Sequence, residues 1–177
     1  MIVTTNLVPG MAVVNLEDGT MVGEIDRVFL DPERQEIVGF SIRHGSGFFG
    51  SKCDGLIDVS DVHAVGADAI TIGSAAAVRS LLALTEREDR LIDLDDLLKR
   101  SVISMGGTEI GRVIGVRFGL DSYRLSALDV SPGFFPEQHS IPADLVVRIG
   151  DELVIVDDAV TNSARLRDEP TPLVRVA

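Results

Sequence analysis

Apolar residues in this chain fall in short runs rich in valine and isoleucine, and glycine, aspartate or proline cuts each run before it reaches helical length. Met11–Leu16 predicts a strand, Glu17–Thr20 a turn and Met21–Leu30 a second strand, which together make a β-hairpin. Asp31, Pro32 and Glu33 then break the run, with Pro32 holding φ for a turn, before Ile37–Arg43 resumes strand-type residues. The glycine-rich stretch Gly45–Gly55 is too permissive for regular structure. Beyond it come Leu56–Val59, the polar Ser60 and Asp61, Val62–Val65, a turn opened by Asp68, and Ile70–Ile72. Short strands at this spacing predict a small, strongly bent sheet closed into a barrel, because closure removes exposed edges.

The whole pattern then repeats. Asp18–Ile25 reads DGTMVGEI and Gly106–Val113 reads GGTEIGRV, so Gly19 matches Gly107 and Gly23 matches Gly111 at one constant spacing. Val14 and Val102, Val28 and Val116, Leu30 and Phe118, Ile37 and Leu125, Phe40 and Leu128, and Ile42 and Val130 share that spacing. Shorter loops reduce it further along, where Gly47, Phe48 and Phe49 correspond to Gly133, Phe134 and Phe135. Ile57, Val62, Gly66, Ile70 and Ile72 likewise correspond to Ile141, Val146, Gly150, Val154 and Val156. A module of roughly 70 residues is near the size at which a core is just sufficient, so the two copies are expected to lean on each other. The expected division is 1–74 for the first copy, 75–98 for a helical connector, 99–160 for the second copy and 161–177 for a tail.

In the connector, Ala75–Leu84 lacks glycine and proline and sets Val78, Leu81 and Leu82 at helical spacing, which predicts a short helix. Thr85 followed by Glu88 fits a capping box, and Leu91, Leu94, Leu97 and Leu98 make an apolar face. That face is expected to pack on a barrel, with docking of a partner protein as the alternative. The tail from Arg165, with Pro170 and Pro172 and the run Leu173–Val176, reads as flexible or as an added edge strand.

The ordered glycine turns at Gly19 and Gly23, the second hairpin, and the isoleucine-centred segment leading to Gly66, Ile70 and Ile72 resemble the PRC-barrel family. The same elements recur at Gly107, Gly111, Ile141, Pro142, Gly150, Val154 and Val156. The resemblance implies a mainly β fold of two small PRC-barrel-like β-barrels in tandem, joined by the helical connector. Members of that family include the cytoplasmic domain of the H subunit of purple-bacterial photosynthetic reaction centres and the C-terminal domain of a ribosome maturation factor. Those roles imply a protein-docking module, although this chain has neither the H subunit's membrane helix nor the maturation factor's extra N-terminal domain. The family supplies no catalytic residue to carry over.

Charge narrows the choice of partners. The net charge of −12 opposes contact with a phosphate backbone, which predicts no direct nucleic-acid binding. Residues 1–74 carry 11 acidic and 4 basic side chains and residues 99–177 carry 11 and 9, so the copies have diverged electrostatically. Arg100, Arg112, Arg117, Arg124 and Arg148 of the second copy are candidates to meet an acidic partner or the anionic first copy, against the plainer reading of solvated surface charge. Neither a long apolar run nor a basic, apolar leader is present, and Cys53 is the single cysteine, which together predict a reduced, cytoplasmic setting.

Candidate chemistry is sparse. His44, His63 and His139 lack the close spacing of a metal pair, Cys53 beside Lys52 has no neighbouring histidine, and Gly45-Ser46-Gly47 leads into phenylalanine rather than a phosphate-binding helix. No catalytic, cofactor or metal site is therefore expected. The repeated Gly-Phe-Phe triplet is more suggestive. Phe48, Phe49, Phe134 and Phe135 are four of the seven phenylalanines, and they are read either as plugs in the barrel openings or as apolar contacts for a partner. The expectation is a non-enzymatic scaffold that binds a protein complex or self-associates. Its alternatives are a regulator on the cytoplasmic face of a membrane electron-transfer or cell-division complex, and small-ligand binding between the barrels.

Overall fold

The computed structural model describes residues 9–43, 53–80, 90–119, 122–132 and 139–161. Strands β1 (Ala12–Asn15), β2 (Met21–Asp31), β3 (Glu36–Arg43), β4 (Cys53–Asp58), β5 (Val62–Val65) and β6 (Ala69–Ile72) form the first body. The second comprises β8 (Ser101–Ser104), β9 (Glu109–Phe118), β10 (Leu125–Ser131), β11 (His139–Pro142), β12 (Val146–Ile149) and β13 (Leu153–Val156). Between them lie the short strand β7 (Ile92–Asp93) and the helix α1 (Leu94–Leu97).

The two sheets have one topology. The orders are β4-β3-β2-β1-β6-β5 and β11-β10-β9-β8-β13-β12, with β1 and β6, and β8 and β13, as the parallel pairs. The fold is thus mainly β, in two curled sheets. Alternating burial explains the curl, because Ile25, Val28, Leu30, Ile37, Phe40 and Ile42 in one body and Val113, Phe118, Leu125, Leu128 and Val130 in the other turn inward and are buried. Closure is incomplete among the described residues. A 3-10 turn, Val59–Asp61 or Ala143–Leu145, links the edge strands β4 and β5, or β11 and β12, where a ladder was expected.

The repeat register needs one correction. Val13 pairs with Gly23 and Val102 pairs with Gly111, and both valines are fully buried, so Val102 answers to Val13 and not to Val14. The first turn is one residue longer, since Asn15 N–H donates to Thr20 O whereas Ser104 N–H donates to Thr108 O. Gly19 and Gly107 hold φ of +73° and +82°, the left-handed region that a side chain disfavours. Gly111 has no alternative, because a Cβ there would lie 2.2 Å from the Ser131 carbonyl oxygen.

The expected helix over Ala75–Leu84 does not form in its described part. Ala75–Ala77 makes one 3-10 turn capped by Ser74, after which Val78 is extended. Arg79 and Leu56 then exchange two backbone hydrogen bonds of 2.8 Å each, and Val78 packs over Gly55, so sheet contacts outcompete a short exposed helix. Leu81, Leu82, Thr85 and Glu88 lie outside the described residues. The leucine face packs as expected. Leu97 is fully buried, Leu94 and Leu98 lie against the core, and β7 pairs with β2 of the first sheet. Asp93 caps α1 by accepting from Asp95 N–H at 3.1 Å, and burial of its carboxyl raises its pKa against that hydrogen bond.

Candidate functional site

The hairpin ends farthest from the glycine turns are where the two bodies meet. Glu36 bridges Arg124 in antiparallel fashion, Ile37 N–H donates to Tyr123 O at 2.8 Å, and Leu125 N–H donates to Gln35 O at 2.7 Å. Glu36 meets its own repeat equivalent Arg124, and exchanging the copies turns one of the two flanking bonds into the other. The seam is a local two-fold, the isologous contact of a symmetric dimer built within one chain. Gln35 and Tyr123 adopt φ of 54° and 55°, a conformation disfavoured for both residues and retained here because the seam bonds require it. Arg124 Nε sits 3.5 Å from Glu36 Oε2, and one hydrophobic cluster runs through both bodies.

Side chains break the symmetry. Gln35 Nε2 donates to Val146 O at 3.0 Å, tying the first copy's turn to the edge strand β12. At the equivalent position Tyr123 packs against the core, and desolvation raises its phenol pKa. A cleft of about 410 Å³ opens on the Gln35 side, lined by Pro32, Glu33 and Gln35 of one copy, residues Val147–Asp151 of the other, and Arg90. The groove expected between the copies therefore exists, and the divergence of the copies makes it asymmetric.

The five arginines singled out in the second copy have different fates. Among the described residues, Arg124 is the one of the five that forms an ion pair with the anionic first copy. Arg117 grips Asp129 within its own sheet, at 2.6 and 3.0 Å. Arg100 donates to Asp96 O and Gly150 O, and Arg112 to Lys99 O at 3.2 Å. Arg148 forms no ion pair among the described residues and lines the cleft. Gln35, Tyr123 and Arg90 escaped the sequence reading. The available signal was the opposite charge of Glu36 and Arg124 at matching positions, whereas left-handed backbone at Gln35 and Tyr123 has no sequence signature.

Other expected sites are not brought together. Phe48, Phe49, Phe134 and Phe135 lie outside the described residues, as does His44. His63 is exposed on β5 and His139 opens β11, in different bodies. Among the described residues no cluster of three metal-ligating side chains occurs, and no helix is long and apolar enough to cross a membrane. Gly19 and Gly107 hold left-handed backbone in the turns, whereas Gly23 and Gly111 lie within β2 and β9, where a Cβ would strike the carbonyl oxygens of Arg43 and Ser131.

The second body is a hairpin and meander returning through a 3-10 turn to a parallel pair. Residues 89–160 match the PRC-barrel domain. The PRC-barrel match takes in β7, α1 and the whole second sheet. It does not extend over the first sheet, whose likeness to the PRC-barrel domain rests on shared strand order and register. No curated protein matches the chain.

Proposed function

We propose that this chain is a non-enzymatic docking scaffold made of two PRC-barrel-type bodies, and that it works in the cytoplasm by binding a protein complex or a second copy of itself. The observation that carries the reading is the duplicated topology with a PRC-barrel match on its second copy. The local two-fold seam supports it, because bonds between equivalent turns hold two diverged surfaces in one orientation, as a platform for a composite partner requires. The Gly-Phe-Phe loops remain its proposed apolar contacts.

The test is to quantify what co-purifies with the tagged chain from cytosol and detergent-solubilised membranes of its own organism, against an untagged control, alongside light scattering of the pure protein. A specific complex or a concentration-dependent oligomer is expected. A monomer that captures nothing would sink the proposal.

A further inference from the structure

Cationic groups without an ion pair among the described residues are concentrated on one side of the second body. Lys99 O accepts from Arg112, Gly150 O accepts from Arg100, and Arg148 lies on β12 two residues before Gly150, so these groups form one arc. The arc runs into the seam cleft, where Arg148 and Arg90 are joined by Glu33 and Asp151. Beside them, Val147 is 50% exposed on β12, which among the described residues pairs only with β13. On a chain of net charge −12, a cationic arc of this kind draws an acidic partner to one place.

We propose that the seam cleft and its cationic arc dock an extended, acidic segment of a partner protein whose carboxylates alternate with apolar side chains. This deepens the docking reading and rests on it. The segment's carboxylates would meet Arg90 and Arg148, and an apolar side chain would cover Val147. Glu33 and Asp151 favour a polypeptide over a lipid surface or a phosphate backbone: amide N–H groups donate to carboxylates, whereas a uniformly anionic surface is repelled by them. The bulge between Val146 and Arg148, together with the Gln35 side chain on Val146 O, blocks a long ladder on β12. Recognition is therefore by charge and by the cleft, with little strand addition.

The experiment uses the full chain and a fluorescein-labelled, amidated heptapeptide of alternating Glu and Val, followed by anisotropy, with backbone amide shifts mapped by NMR. Saturable binding is expected, with shifts at Glu33, Gln35 and Val147–Asp151. It should weaken by at least about tenfold in an Arg90→Glu/Arg148→Glu variant whose melting curve is unchanged. If charge reversal unfolds the chain, Arg90→Gln/Arg148→Gln serves instead. Binding that survives the variant, equal binding of the peptide with Lys in place of Glu, or arginine-dependent binding of phosphatidylglycerol vesicles overturns the proposal. Complex capture or self-association that persists in the variant overturns this site while the docking reading stands. Peptide binding by a wild-type chain that neither self-associates nor captures a complex supports the cleft and overturns the broader reading.

Discussion

The two bodies share strand order and inward-facing residues, yet they solve the same local problems with different groups. In the first glycine turn, Asp18 accepts from Thr20 N–H at 2.9 Å and from Thr20 Oγ1 at 2.7 Å. The second turn has Gly106 at that place, and Asp158, from beyond β13, accepts from Gly106 N–H at 2.8 Å. Hydrogen bonding to the ionised form lowers both carboxyl pKa values, Asp18 chiefly through the Thr20 hydroxyl and Asp158 chiefly through the Gly106 amide. At a further matched position, Ser41 of β3 is fully buried with no partner for its hydroxyl among the described residues, while Asp129 of β10 is held by Arg117. Duplication thus preserved what the core requires and released the surface, and the seam cleft lies where the released surfaces meet.

The deepest break in the comparison is at the connector, whose strand β7 pairs with β2 of the first body. Leu97→Ala should cost about 3 kcal/mol by leaving a cavity against β2. Hydrogen exchange should accelerate first in β2 and β3, and uniform acceleration through both sheets would show that the bodies unfold as one unit.

A second break sets the matched glycines against each other. Gly111→Ala places a Cβ 2.2 Å from Ser131 O at φ of +149°, against 2.7 Å from Arg43 O for Gly23→Ala. Chemical denaturation should show losses of about 3 and about 1–2 kcal/mol respectively. Equal losses would mean that the second turn relaxes.

Smaller effects sharpen the contrast between Ser41 and Asp129. Ser41→Ala removes a buried hydroxyl with no partner and should stabilise by up to about 1 kcal/mol, whereas Asp129→Ala frees Arg117 and should cost about 1 kcal/mol. Both are read from denaturation midpoints, and a destabilised Ser41→Ala would reveal a hydrogen bond to that hydroxyl in solution.

The smallest effect is a pH signature of the seam. Tyr123 is the single tyrosine and there is no tryptophan, so tyrosinate absorbance reports it alone. Desolvation holds its folded pKa above 10.0, so the seam keeps its full stability below the unfolded phenol value of about 10 and loses it as pH rises through the folded one. A Gln35→Ala/Arg124→Ala variant, which removes the side-chain ties to Val146 O and Glu36, should return the titration toward the ordinary value. No change would separate Tyr123 burial from the seam.

Much of the fold was legible because it is written locally. Left-handed Gly19 and Gly107, the breaker Pro32, and the alternation through Ile37, Phe40 and Ile42 each act within a few residues, and repetition doubled every signal. Where two local choices were nearly equal in energy, the reading failed. Ala75–Ala77 turned once and gave way to sheet contacts with Leu56, and the one-residue difference between the glycine turns moved the match of Val102 from Val14 to Val13.

The sequence by itself determined two like modules, their turns, their inward faces and an acidic surface with a less acidic second half. Only the tertiary structure decided that Glu36 meets Arg124 across a local two-fold, that Arg124 forms an ion pair with the first copy, and that Arg90 joins Glu33 and Asp151 at one cleft. The physical reason is range. Backbone sterics and burial periodicity act over a few residues and leave their mark in the chain, whereas a seam depends on side chains far apart in sequence whose approach is set by how two finished sheets pack.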